Sequence, residues 1–233
     1  MRDKIKDKTY FENYIDKEKK AIDFFIENTK DKELPVAGQR TFDTTLDLKT
    51  RNILIAKYSS GAKIIDLKKD YIESVKWFAK IYNSQNFYVQ LIWMLSMGIL
   101  LEIDNDSFDI LINLVEDDDL EDHLVDFLIQ SRKPSGPIST KAFKFSIIYK
   151  SIESVINETD KQIALENLKK YLDKEWYKGH SGAGWHNSHN GKHNTYFGYW
   201  SFESGAVVKI LGLDDSSLRD QQYYPYDMVH WKD

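Results

Sequence analysis

The chain of 233 residues contains no cysteine, which excludes disulfides and thiolate chemistry and suits a reducing compartment. Its opening, MRDKIKDKTYFENY, has no apolar core of the kind an export signal needs. The longest apolar-rich run, residues 87–101 (FYVQLIWMLSMGILL), is interrupted by Gln90 and Ser96. It falls short of the roughly 20 apolar residues that a membrane-spanning helix requires. A cytoplasmic location is therefore expected, unless a partner exports the chain. Sustained strand alternation between hairpin turns is missing, and so is an internal repeat. There is no glycine-rich phosphate loop and no nucleophile elbow. Carboxylates such as Glu153 and Glu158 read as ordinary helix-surface residues.

Hydrophobic residues make up 42% of the chain, enough for a substantial core, and their spacing is helical. Phe11, Ile15, Ile22, Phe25 and Ile26 form one stripe; Leu67, Tyr71, Val75, Phe78 and Tyr82 form another. Phe108, Leu111, Ile112 and Val115 follow, then Leu120, Leu124, Phe127 and Leu128. Phe145, Ile148, Ile152, Val155 and Ile156 come next, and Leu165, Leu168 and Leu172 continue the series. Each set places apolar side chains on one helical face. Residues 44–60 read as a helix with a broader apolar face. The expected fold is all-α, a bundle of about eight to ten helices, with an N-terminal half (1–131) and a C-terminal half (132–233) packed together.

Local breakers agree. Leu34-Pro35-Val36-Ala37-Gly38 separates the first two helices, and residues 83–86 form a polar break. Lys133-Pro134-Ser135-Gly136-Pro137 is the clearest interruption, with Ser139 or Thr140 placed to cap the next helix. Asp160 is placed to cap another. Gly212 followed by Leu213 reads as a glycine stop with its apolar contact. The run 87–101 is apolar nearly all round, so protein surrounds it on every side; it serves a core or a dimer seam equally well.

Charge is distributed unevenly. Residues 81–131 contain no Lys or Arg but hold 11 carboxylates, while the remainder of the chain is net positive and the whole is −5. Six of the 11 fall within residues 116–122: Glu116, Asp117, Asp118, Asp119, Glu121 and Asp122. Helix capping accounts for one or two of them, with Asp119 placed to cap a helix starting at Leu120. Glu116 and Asp117 would lie near a helix end, where negative charge is unfavourable. The plain reading is a solvated surface cluster. The functional reading is a patch that steers and docks a basic protein partner. A nuclease, with its basic DNA-binding cleft, would suit such a patch, whereas nucleic acid itself would be repelled.

Residues 179–194 (GHSGAGWHNSHNGKHN) carry four of the six histidines. His186, His189 and His193 could ligate zinc and so support a metal-dependent hydrolase. Against that, no carboxylate lies between Glu175 and Glu203 to act as general base. A polar surface loop with unliganded histidines is the other reading. A helical adaptor of unrelated role is a third possibility.

Near the C-terminus, Tyr199, Phe202, Ala206, Val207, Ile210 and Leu211 form the apolar face of one helix, and Ser204, Gly205 and Ala206 permit close approach by a neighbour. Glu203 lies one position from that face, and if buried it needs a partner. The run Gly198-Tyr199-Trp200-Ser201-Phe202-Glu203, the turn Leu211-Gly212-Leu213-Asp214-Asp215-Ser216 and the ending Tyr224-Pro225-Tyr226-Asp227 resemble the C-terminal domain of the PoNi-type immunity proteins. Roughly residues 5–125 are similar, by helical pattern and length, to the N-terminal domain that accompanies it. The resemblance implies an antidote. Family members bind and neutralise PoNe-type DNase toxins, metal-dependent nucleases of the PD-(D/E)xK class. It brings no catalytic residue, and its motifs read as structural rather than toxin-binding; no cofactor and no membrane partner are expected.

Overall fold

The computed structural model describes residues 1–134 and 142–232 and is all-helical, with no strand among those residues. The expected cap at Ser139 or Thr140 lies outside the described residues. Two compact units are present: residues 1–83 with 187–198, and residues 84–186 with 199–233.

The first unit is built on three long helices: α1 (Lys8–Thr29), α2 (Val36–Ser59) and α3 (Ile64–Ile81). The Asp7 side chain accepts from the Tyr10 amide and starts α1. Pro35 stands at the N-cap of α2, where its missing N–H costs no helical bond. Phe11 and Tyr14 from α1, Leu46, Leu54 and Tyr58 from α2, and Leu67, Tyr71, Val75 and Phe78 from α3 are buried; the α3 stripe turns inward nearly as expected, whereas of the expected α1 stripe only Phe11 is buried and Ile26 is exposed. Asp47 and Arg51 are buried as an i,i+4 ion pair of 2.6 Å on α2. Residues 187–198 join this unit through Tyr196, whose hydroxyl donates to Asp3, and through Ser59 Oγ, which donates to the Phe197 carbonyl at 3.0 Å.

The second unit holds α4 (Ser84–Leu100), α5 (Asn105–Asp117), α6 (His123–Gln130), α7 (Ser146–Tyr149), α8 (Glu153–Ile156), α9 (Lys161–Lys174), α10 (Trp176–Gly179), α11 (Phe202–Leu211) and α12 (Tyr226–Val229). Its centre is α4. Every residue from 91 to 101 is buried, and α5, α6 and α11 pack around the helix. Gly205 lets α11 sit close against its neighbours. A Cβ there would lie 2.8 Å from Pro225 Cγ and 3.3 Å from Leu100 Cδ1, closer than packed carbons tolerate.

Helix ends follow local chemistry. Asp160 caps α9 through the Gln162 and Ile163 amides, as its position suggests. Gly212 closes α11 in the left-handed conformation (φ 60°, ψ 47°), and the Leu213 amide donates back to the Val208 carbonyl. The α4 and α5 helices end in the same motif with acids in the left-handed position, Glu102 (φ 50°) and Asp119 (φ 45°). The Ile103 and Leu120 amides reach back to Gly98 and Val115.

Two expectations are corrected here. Asp119 terminates α5 rather than starting α6; the latter begins at His123 with Asp122 as its cap. The stripe from Phe145 to Ile156 is not one helix but two single turns joined by a 3-10 turn at Lys150–Ile152. Tyr149 turns fully inward within it while Ile147 is 90% exposed.

Candidate functional site

The acidic residues of the second unit sort into distinct roles. Glu102 is held by the ammonium groups of Lys209, at 2.8 Å, and Lys232; these bonds pull its pKa down to about 2. Asp104 caps α5 through the Ser107 amide at 2.8 Å, which lowers its pKa. Asp122 and Asp126 are buried.

The turn between α5 and α6 keeps five exposed carboxylates: Glu116, Asp117, Asp118, Asp119 and Glu121. Glu116 and Asp117 occupy the last turn of α5, where the helix dipole offers them nothing. Lys133 stands 3.4 Å from Glu116, and both side chains are about half exposed, so this pair is weak. Asp118 accepts from the Ser84 amide at 3.0 Å, tying the turn to the start of α4.

Asp122 leaves the patch. It is 0% exposed because its two oxygens satisfy four donors: the Leu124 and Val125 amides at 3.0 Å, the Tyr88 hydroxyl at 2.8 Å and the Lys144 amide at 2.8 Å. The candidate surface is therefore residues 116–119 and 121. Tyr88, Ser84 and Lys144 were not legible as partners of this turn, since they lie 22 to 60 residues away from the groups they meet.

The histidine-rich segment does not act as a unit. His180 is buried rather than in a polar loop: Nδ1 lies 2.7 Å from the Trp176 carbonyl and Nε2 lies 3.2 Å from the Tyr149 hydroxyl. Burial pushes its pKa down to about 4, which keeps the ring neutral. His186 lies against the Tyr177 ring with centroids 4.2 Å apart. His189 and His193 belong to the other compact unit. Among the described residues, no group of three or more His, Asp or Glu side chains is arranged to hold a metal.

The C-terminal motifs interlock. Ser201 donates its amide to the Tyr223 carbonyl at 2.8 Å and its hydroxyl to Glu203 at 2.7 Å. Tyr171 of α9 donates to the same carboxyl at 3.1 Å. The Trp176 indole NH approaches this carboxyl and favours its charge without reaching hydrogen-bond geometry. Full burial outweighs these contacts and raises the Glu203 pKa to about 7. Asp215, from the turn after α11, accepts from the Tyr224 hydroxyl and lies 2.7 Å from His230 Nε2. These residues join chain segments to each other, and none of their carboxylates reaches the surface.

Two family models match the chain. One, described as PoNe immunity protein (PoNi), N-terminal, matches residues 2–113. The other, PoNe immunity proteins (PoNi), C-terminal, matches residues 120–228. The chain belongs to the PoNi family. It is thus assigned to a family of immunity proteins, not enzymes. The two PoNi models meet between residues 113 and 120, at the acidic end of α5. No curated protein matches the chain. Among solved structures, the crystal structure of protein PA2201 from Pseudomonas aeruginosa is similar, with a TM-score of 0.69 and 16% identity. That match covers 95% of this chain and 87% of the other; at such identity it speaks to the fold. For the described residues, no helix is long and apolar enough to cross a membrane.

Proposed function

We propose that this PoNi-family chain acts in the cytoplasm by binding a cognate PoNe-type nuclease toxin. In this reading the turn at residues 116–121 lies over the toxin's basic, DNA-contacting cleft. One observation carries it: five carboxylates stand exposed within six positions, with Lys133 as a weak counterion. Repulsion within such a concentration of like charge works against the fold, and the same charge raises the rate of encounter with a cation-rich surface. A nuclease must present such a surface to hold DNA. Asp122, Glu203 and Asp215 are buried in structural bonds and take no part.

The test is a variant in which Glu116, Asp117, Asp118, Asp119 and Glu121 become Gln or Asn, with Asp122 left intact. Asn tolerates the left-handed backbone at position 119, so the fold should survive. The expected result is at least a tenfold loss of affinity for a cognate PoNe-type nuclease, and loss of growth rescue when the two are co-expressed. Affinity equal to that of the parent protein would remove the turn from the mechanism.

A further inference from the structure

The α1–α2 hairpin of the first unit ends in a stretch that nothing covers: no residue from 19 to 42 is buried. Helix length gives the reason. α3 runs antiparallel to α2, with Asp70 bonded to Lys57 at 2.6 Å and Lys80 lying 3.7 Å from Asp43. It stops at Ile81, one turn past Trp77, whose ring packs edge-on against Phe42. The first turns of α2 therefore run on beyond the third helix. The Lys49–Glu18 pair, at 2.6 Å, sets the register of α1 on α2. Counting seven residues from each member brings Phe25 level with Phe42, so the end of α1 projects as well. The faces that turn inward lower down continue along this projection. Ile22 and Phe25 follow the buried Phe11 and Tyr14 by 11 residues, three helical turns, and Ile26 follows Ile22 by one turn. Val36 precedes the buried Asp47 by the same three turns. Ile26 is nevertheless 43% exposed and Val36 89% exposed.

We propose that this hairpin end is a homodimer interface, where the same hairpin of a second copy supplies the two helices that complete a four-helix bundle. The inference is independent of the immunity reading above.

Charge selects the occupant. Residues 19–42 hold five cations against four carboxylates. A basic nuclease would find no acidic excess there, and an acidic partner would find one surplus cation. An identical hairpin finds both signs in nearly equal number. The signs are also segregated along α1, where Lys19 and Lys20 precede Asp23 and Glu27. A two-fold axis across α1 makes the contact self-complementary and antiparallel. It sets the basic stretch of each copy against the acidic stretch of the other. Lys20 and Glu27 already hold Asp16 at 2.7 Å and Lys30 at 2.5 Å within the copy. Lys19 and Asp23 are exposed and form no ion pair among the described residues, so they are the charges available across the seam. They stand seven and three positions before Ile26, on the same side of the helix.

The experiment is sedimentation of the full chain up to about 100 µM, since a dimer is populated by mass action. The parent should pass from 27.4 kDa to twice that mass as concentration rises. Ile26→Asp and Val36→Asp place carboxylates in the apolar part of the seam, and each should weaken the dimer at least tenfold. Thermal melting checks that they keep the fold; should Ile26→Asp lose it, the more exposed Val36→Asp carries the test. Ile163→Asp, at a 46% exposed position of α9 in the other unit, should leave the dimer unchanged. Lys19→Asp and Asp23→Lys should each weaken it, and the two together should restore it, because the exchanged charges again meet across the axis. A parent that stays monomeric at every concentration overturns the proposal. So does a dimer that both folded seam variants leave intact, since its interface then lies elsewhere. A monomeric parent whose seam variants lose affinity for a cognate nuclease would assign the hairpin to the nuclease instead, and the dimer would fall while the immunity reading stood.

Discussion

Asp122 is one carboxylate of six in a run of seven positions, and its neighbours in sequence do not share its fate. Its backbone leads directly into α6, so its side chain folds onto the Leu124 and Val125 amides. The same carboxylate then satisfies Tyr88, whose pKa rises well above the ordinary tyrosine value through burial and the adjacent charge. Removing it strips a helix cap and leaves a buried hydroxyl and the Lys144 amide without their acceptor. Asp122→Ala should therefore destabilise the second unit by about 3 kcal/mol, one part cap and two parts unsatisfied donors. Asp122→Asn should cost less, because an acceptor oxygen remains. Denaturant melts at neutral pH measure both changes, and amide exchange at Leu124 and Val125 should accelerate. A loss under about 1 kcal/mol for the alanine variant would mean that the bonds are not maintained in solution.

At the scale of elements, α9, α10 and α11 enclose two titratable groups that burial shifts in opposite senses. Glu203 titrates near pH 7 in the folded chain and near 4.5 when free. It favours the folded state at low pH and loses that contribution as the pH rises through this interval. His180 titrates near 4 when folded and near 6.5 when free. Its contribution is present above 6.5 and is lost as the pH falls toward 4. Over the shared interval the two slopes, each up to about 1.4 kcal/mol per pH unit, oppose one another. Single substitutions should expose the hidden slopes. Relative to the parent, Glu203→Gln should gain stability as the pH rises from 4.5 to 7, and His180→Gln should lose it as the pH rises from 4 to 6.5. Stability measured against pH for the two variants decides this; parallel curves for parent and variants would refute it.

Legibility also varied by element. The α4 helix was readable because a helix apolar on all sides must be enclosed by protein, and Asp160 and Gly212 were readable because capping joins residues a few positions apart. The segment from Phe145 to Ile156 misled, because apolar spacings of three and four fit an α-helix and a broken series of turns alike. Asp119 misled for a related reason. An acid between two helices suits either end, and the backbone chose to close α5 with it. The Tyr88–Asp122 and Tyr171–Glu203 bonds span 34 and 32 residues, and no local pattern announces them.

For the whole molecule, a net charge of −5 understates the field at one place, since every Lys and Arg lies outside residues 81–131. Long-range attraction between exposed charges decays over about 10 Å at 0.1 M salt. Association with a basic nuclease should therefore slow markedly as NaCl is added, with dissociation changing less. The five-acid variant should associate slowly at every salt concentration and show a shallower dependence. Stopped-flow or surface-binding kinetics over a salt series provide the measurement; equal salt slopes for parent and variant would show that the turn does not steer the encounter.

By itself the amino-acid order determined what depends on near neighbours and on composition: an all-helical chain, its main helices and several of their caps, a helix that must be enclosed, a segment without cations, and the motifs that mark the PoNi family. Only the tertiary structure decided which acids face water and which are consumed inside. A carboxylate's exposure depends on donors brought to it from distant parts of the chain. Tyr88 and Lys144 take Asp122 inward, Lys209 and Lys232 neutralise Glu102, and Glu116, Asp117, Asp118, Asp119 and Glu121 stay exposed.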